Sequence, residues 1–413
     1  MKIILKCGFL FNGIENFFIP NVWIKVDDNS ISYIGSKDDI EYDSTYEVVD
    51  LNDKYVLPGL IDCHVHTALS GTPDYEYQIT KNSVPYLSIA ALRNARSLLM
   101  AGFTTVRDAG ICNYINLGVR NAINAGIFKG PRMMVCGPML SITGGHADSN
   151  FSPSFPVTGL LGETVDGIED LRKEIRKNFK SGVDYVKIAA TGGLHSAAGG
   201  LHIQQYTFEE LKVIADEAKR EGKISAAHAY APGAIKDAIL AGIHSIEHGV
   251  LMDDECIALL VEHRCWVVPT LIALDVIVQK GTAGGLVEHT VRKAMEASAI
   301  HAQSIKKAYV AGVQLGFGTD SGTSYNYHGV SGALEFIELQ KIGVDPFDCL
   351  VMATFNAAKL LQWDDRIGSI EAGKLADIIA VNRNPIDDMT AMQKIDFVMK
   401  DGDILKRSGK AYL

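Results

Sequence analysis

The stretch Val56-Leu-Pro-Gly-Leu-Ile-Asp62-Cys-His64-Val-His66 decides how this chain is read. It is a short apolar run broken by a Pro-Gly pair, the pattern of a buried strand. Alternate residues of a strand face the same side, so His64 and His66 point together. Two imidazoles on one face at a strand end suit a divalent metal such as Zn²⁺. Two core or surface histidines would give the same pattern, so the reading turns on what the other strand ends carry.

Working outward, a helix-like run repeatedly ends in Gly and a short apolar strand follows. This occurs at Ala101-Gly102-Phe-Thr-Thr-Val, Ser181-Gly182-Val-Asp-Tyr-Val, Glu221-Gly222-Lys-Ile-Ser, Ala241-Gly242-Ile-His-Ser-Ile and Ala311-Gly312-Val-Gln-Leu. Gly just past a helix is the expected left-handed cap. Eight strands are predicted, near 56–63, 103–107, 132–136, 184–189, 223–227, 243–247, 265–269 and 313–318. Amphipathic runs separate most of them, most clearly Leu171–Phe179, Phe208–Lys219 and Val291–Tyr309. Eight βα units in about 300 residues predict an α/β chain built on a (β/α)₈ TIM-type barrel. An open doubly wound sheet would call for a Gly-x-Gly-x-x-Gly turn after a strand, and none stands out. Both ends of the chain are strand-rich instead. Residues 1–55 plus 367–413 are therefore expected to form a small β-sandwich domain from both termini, around a barrel spanning 56–366.

Composition narrows the function. The chain has 413 residues, 47% hydrophobic and 21% charged, with 39 Lys+Arg against 49 Asp+Glu. A formal charge of −10 gives no long-range pull toward phosphate backbones or anionic lipid, so neither nucleic acid nor a membrane is expected as a partner. No apolar run reaches the length of a membrane-spanning helix. Seven scattered cysteines without a Cys-x-x-Cys pair read as buried thiols in a reducing, cytoplasmic setting. The apolar start is interrupted by Lys6 and reads as a first strand rather than a signal peptide.

Barrel active sites are built at the C-terminal ends of the strands. There the fourth strand carries Lys187, the fifth His228, the sixth His248 and the eighth Asp320. A Lys inside an apolar strand is costly unless neutralised or paired, although one at a strand end could also reach solvent. Each residue alone is easily chance; together, at five strand ends, they are not.

With these residues in place, the sequence resembles the amidohydrolase superfamily of metal-dependent hydrolases. The resemblance covers the whole chain, including the tail Gly368-Ser-Ile-Glu-Ala-Gly373-Lys-Leu-Ala-Asp377. It implies that His64 and His66 bind one metal and that His228 and His248 bind a second. It also implies that Lys187 is carboxylated by CO₂ so that its carbamate bridges both. Asp320 would ligate the first metal and act as general base. The implied cofactors are two divalent ions, zinc by resemblance. Their shared hydroxide would attack the scissile carbonyl.

Further motifs are similar to the zinc dipeptidase and carboxypeptidase branch, with its Xaa-Pro dipeptidase-like and arginine carboxypeptidase-like members. They are Gly102-Phe-Thr-Thr-Val-Arg107-Asp108, Gly144-Gly145-His146, Lys187-Ile-x-x-Thr-Gly192-Gly193, Gln205-Tyr206 and His228-Ala-Tyr230-x-Pro232-Gly. By this resemblance His146 and Tyr230 sit over the metals and hold the oxyanion or the substrate's terminal carboxylate. Arg107 could pair a substrate carboxylate or make a structural pair with Asp108 or a neighbour. His195, His202 and His328 lie on loops of the same face and are candidate substrate contacts. Glu288, Asp74 and Glu76 are candidate acidic pocket residues. His244 is expected on the face of His248 but deeper, whereas His263, His289 and His301 are expected on solvent faces of helices. The implied activity is cleavage of the amide bond before a Pro, basic or hydrophobic C-terminal residue of a dipeptide or N-acyl amino acid, in a homo-oligomer. The alternatives are hydrolysis of a cyclic or other small non-peptide amide (imidazolonepropionase-like or dihydropyrimidinase-like) and a non-catalytic relative. Lys187 argues against the imidazolonepropionase-like case.

Overall fold

The computed structural model describes residues 2–148, 161–194, 196 and 200–412. Residues from both ends build one eight-stranded sheet. Lys2–Leu10, Ile19–Asp27, Ser30–Gly35 and Glu47–Pro58 come from the start, and Ile378–Val381, Ile395–Lys400, Asp403–Arg407 and Lys410–Ala411 from the end. The joint is Glu47–Pro58. It pairs in parallel with Lys2–Leu10 on one side and antiparallel with Ile378–Val381 on the other, Pro58 opposite Ile378. A strand of 12 residues used on both edges merges the two halves, so the predicted two-layer sandwich is replaced by one sheet rolled on itself. Ile31 N donates to Lys374 O at 2.8 Å and Ala376 N to Asn29 O at 2.9 Å, which brings the far edge back to the entry of Ile378–Val381. Alternate residues from nearly every strand, among them Leu5, Ile24, Val49, Ile378 and Phe397, fill the interior of the roll.

The middle of the chain forms parallel strands in two sheets. One holds Leu60–Val65, Phe103–Asp108 and Arg132–Val135; the other holds Val186–Ala189, Ser225–Ala229, Ser245–His248 and Trp266–Val268, with Met139–Ser141 and Gly162–Thr164 beyond its edge. These include seven of the eight predicted strands. Helices between them include Ile168–Ser181, Phe208–Arg220 and Glu288–Val310. Gly182 and Gly242 close their helices at φ +97° and +95°, as the cap argument requires.

The predicted strand at 313–318 is not a continuous strand. It meets its neighbours at isolated parallel bridges, Leu315 with Val267 and Ser321 with Val65. Its glycines explain this. A Cβ at Gly318 would lie 2.3 Å from Val268 Cγ1 and 3.0 Å from His64 Cβ, so the backbone is pressed against both neighbours. The segment still spans the gap: Val267 N donates to Gln314 O at 2.9 Å, and Cys63 N to Phe317 O at 2.8 Å. On the opposite side Asp184 N donates to Val135 O at 2.7 Å. Hydrogen bonds thus join the two parallel sheets at both edges.

All seven cysteines are buried and unpaired. Among the described residues, no helix is long and apolar enough to cross a membrane.

Arg132 fastens the parallel strands to the rolled sheet. Its Nη1 lies 2.7 Å from Asp377 Oδ2, and its Nη2 bonds Asp401. Removing one partner strands the others at a largely buried position. Arg132→Ala is expected to lose roughly 3 kcal/mol of stability in urea unfolding, and Arg132→Lys less. An unchanged unfolding midpoint in Arg132→Ala would mean that the pair fastens nothing.

Candidate metal centre

The strand ends that carry His64, His66, Lys187, His228, His248 and Asp320 open into one cavity, which His146 and Tyr230 also line. The Nε2 atoms of His64 and His66 each lie 3.4 Å from Asp320 Oδ1. Among the described residues these three form the one group of His, Cys, Asp or Glu whose donor atoms are close enough to share a metal ion. His228 and His248 complete the ring of imidazoles, with centroids 4.7 Å apart, and His248 lies 4.9 Å from His64.

Each ring is held by the nitrogen that faces away from the cluster. His64 Nδ1 bonds Glu247 Oε2 at 2.8 Å, His66 Nδ1 bonds Gly110 O at 2.9 Å, and His228 Nε2 bonds Gly192 O at 3.3 Å. Those oxygens can only accept, so the ring nitrogens donate and the inward nitrogens carry lone pairs. His248 Nδ1 lies 2.7 Å from Thr270 Oγ1, a hydroxyl able to accept its proton. Burial holds His64, His228 and His248 well below the usual imidazole range, reinforced by neighbouring positive groups. Burial also opposes charge on His66, but the bond and charge of Asp320 outweigh it and raise that ring.

Lys187 is 2% exposed, and its Nζ is buried without a hydrogen-bond partner. Burial pushes its ammonium down to about 8, with Arg107 acting in the same direction and Glu247 against it. A buried amine with no partner is a costly group. It stands beside imidazoles held neutral by burial and the Asp320 carboxylate, a lining that fits divalent cations. The donor set of nitrogen and carboxylate oxygen suits such ions.

Several residues stand elsewhere than the sequence suggested. Arg107, a candidate for the substrate carboxylate, is 1% exposed and faces inward. It donates to Glu247 Oε1 at 2.6 Å, Ser245 Oγ at 3.0 Å and Cys63 O at 2.7 Å. Its fork is spent holding the carboxylate that holds His64. His328 also stands behind the cavity wall, its Nε2 3.1 Å from His66 O. His195 lies outside the described residues. His301, expected in solvent, is buried, with Nε2 2.9 Å from His248 O. His244 bonds Leu360 O at 2.9 Å, away from the cluster.

Sequence reasoning missed Glu247 because alternation along Ser245–His248 puts it opposite His248. His248 breaks the alternation with φ +73°, so both residues address the interior. Asp62 was in view as part of the opening motif without a role. It accepts from His64 N at 3.1 Å, Thr319 N at 3.1 Å and Thr319 Oγ1 at 2.7 Å, tying the first strand end to the segment that carries Asp320.

The outer cavity wall is apolar, with Leu69, Tyr75, Ile79, Leu161 and Ile277. Tyr230 stacks on His228 at 4.7 Å, and His146 on the same ring at 4.1 Å. Burial raises the Tyr230 phenol above its ordinary range, so it stays protonated as a donor. Glu76 reaches the cavity, as does Asp148, which the sequence did not single out; Asp74 and Glu288 are not on its wall.

This arrangement can be set against known proteins. The amidohydrolase family matches residues 55–405. Ochratoxinase of Aspergillus niger is 30% identical, over 98% of this chain and 87% of its own length. Among solved structures, a Xaa-Pro dipeptidase with methionine bound in its active site superposes with a TM-score of 0.90 at 33% identity, covering 98% of this chain and 100% of that one. A prolidase complexed with N-methylphosphonate-L-proline superposes at 0.91 and 28% identity, again over 98% and 100%. Likeness at this level implies a TIM-type barrel with an additional domain, and a hydrolase that acts on a small molecule. The chain belongs to the amidohydrolase family.

Proposed function

We propose that this protein is a binuclear metal-dependent hydrolase that cleaves the amide bond before the C-terminal residue of a dipeptide or N-acyl amino acid. In this reading the two parallel sheets are one (β/α)₈ barrel over 56–366, and 1–55 with 367–413 form the smaller domain. The observation that carries the proposal is the buried, partnerless Lys187 amine among the histidines. Burial pushes its ammonium down to about 8, so far more of it is neutral and nucleophilic near neutral pH than of an ordinary lysine. Its nitrogen can add to CO₂ with loss of a proton, giving an anionic carbamate. His64, His66 and Asp320 would hold one ion and His228 and His248 a second, with the carbamate between them. Two divalent ions bound there, zinc being suited to these donors, supply acidity to water and polarise the amide carbonyl.

The chain's own groups do the rest. The Asp320 carboxylate takes the proton of the attacking water and delivers it to the leaving nitrogen. Tyr230 and His146 donate to the carbonyl oxygen as it gains charge, or to the terminal carboxylate. The apolar wall excludes water and favours a hydrophobic side chain. A second reading, hydrolysis of a non-peptide amide, is favoured by one observation: among the described residues lining the cavity, Lys187 is the one Lys or Arg, so a substrate carboxylate meets no guanidinium.

Zinc-loaded protein assayed with bicarbonate should release the C-terminal amino acid from dipeptides or N-acyl amino acids, with a preference for an apolar residue. No release across the panel, with two metals bound, would favour the second reading. Lys187→Ala should lose metal on elemental analysis and most activity; full metal content and full activity would refute its role. Tyr230→Phe should lower kcat by about 10²-fold with metal content unchanged, and an unaltered kcat would remove it from the site.

A further inference from the structure

The loop that leaves Val186–Ala189 carries a second device. Gly192 O holds His228 from behind. Four residues further along, Ser196 Oγ lies 2.8 Å from His146 Nδ1. Gly193 sits under the same ring: a Cβ there would come within 2.4 Å of His146 Cε1. The loop and the ring are therefore in direct contact, and no larger residue at Gly193 leaves the imidazole where it is.

The hydrogen-bond accounting at Ser196 differs from that at the metal-facing rings. His64, His66 and His228 give their outer N–H to oxygens that only accept. Ser196 Oγ instead already accepts an N–H, from Gly193 N at 3.1 Å. A hydroxyl has one proton to give and two lone pairs, of which Gly193 N occupies one. Directed along the 2.8 Å contact, that proton makes His146 Nδ1 the acceptor. The neutral ring then carries its own proton on Nε2, and the tautomer is set by the partner of the other nitrogen.

The turn is pinned from a distant part of the chain. Lys293, on the helix Glu288–Val310, is 9% exposed. Its Nζ donates to Ser196 O at 2.8 Å and to Gly193 O at 3.4 Å. An ammonium bonding both carbonyls ties Gly193 and Ser196 to one point and so restrains the hydroxyl. The same helix packs Val291, Ala294 and Ala297 against Leu194, Tyr230 and Ile277, so the clamp is anchored in the cavity wall.

We propose that Ser196, clamped by Lys293, fixes His146 as the Nε2–H tautomer and so makes it a hydrogen-bond donor rather than a base or a metal ligand. Both residues act through His146 and are positioning residues. The catalytic consequence rests on the amide-hydrolase reading above, in which negative charge develops on the substrate; the tautomer itself does not.

The test uses zinc-loaded protein with ¹⁵N-labelled histidine and a long-range ¹H–¹⁵N correlation spectrum, His146→Gln identifying the signals of that ring. The native ring is expected to show a protonated Nε2 and an unprotonated Nδ1. In Ser196→Ala and Lys293→Met the signals should shift toward a mixture of tautomers. At the same time kcat should fall about tenfold to a hundredfold, with zinc content and melting temperature held. Ser196→Thr and Lys293→Arg should restore most of both. A protonated Nδ1 in the native protein overturns the proposal, and so does a tautomer indifferent to Ser196→Ala. If the native protein cleaves no dipeptide or N-acyl amino acid, the functional reading fails while the spectrum still decides the tautomer.

Discussion

The rest of the site depends on a carboxylate buried where water cannot reach it. Glu247 is 0% exposed, and Arg107, its partner, 1%. Burying either alone would cost several kcal/mol. Together they form a chain from Ser245 and Cys63 O through Arg107 and Glu247 to His64 Nδ1. That chain crosses three strands: Leu60–Val65, Phe103–Asp108 and Ser245–His248. Such a pair contributes little net stability against an apolar filling of the same volume. What it contributes is orientation, because the His64 ring cannot rotate without breaking a charged bond in a medium of low dielectric.

The surrounding chemistry follows from that rigidity. Neutral imidazoles are the form that binds metal, and burial keeps His64, His228 and His248 neutral. The same burial would be ruinous for an isolated ammonium, yet Lys187 sits among them. Burial without a hydrogen-bond partner is the cost that sets Lys187 apart from the rings around it. Backbone strain is spent in the same place. His248 and Asp320 take φ values of +73° and +59°, which non-glycine residues rarely adopt and which concentrate at functional sites. His248 closes Ser245–His248 and Asp320 follows the bridged segment after Leu315, and both side chains line the cavity.

This explains what could be read from sequence. His64, His66, Lys187, His228, His248 and Asp320 were legible because each sits at a strand end, and strand ends are marked locally by apolar runs and the glycines before them. The long helices were legible for the same reason. Glu247 was not, because its meaning comes from Arg107, 140 residues away, and from a positive φ at the next residue. His301 was read as solvent-facing because a helix sequence does not say which face meets His248 O. The rolled terminal sheet was half legible: strands at both ends were visible, but the sharing of Glu47–Pro58 is a pairing between residues more than three hundred positions apart. The last parallel segment was predicted as a strand because Leu315 and Phe317 are apolar. Gly316 and Gly318 mark the close approach that interrupts it.

The cavity's polarity sets how it can tell substrates apart. A guanidinium recognises a carboxylate largely by charge, and tolerates displacement because charge acts over distance. Lys187 is the one Lys or Arg among the described residues lining the cavity, which also include a protonated Tyr230 and the His146 ring, both stacked against His228. A neutral donor acts only within hydrogen-bond distance and only when aligned. Discrimination therefore depends on where those two groups stand, to within fractions of an ångström. Tyr230 is placed by the strand that also carries His228, with its backbone N bonded to Thr191 Oγ1 at 3.0 Å. His146 follows two glycines outside any strand; its backbone N bonds Gln205 Oε1 at 3.2 Å, and its ring meets Gly193 and Ser196.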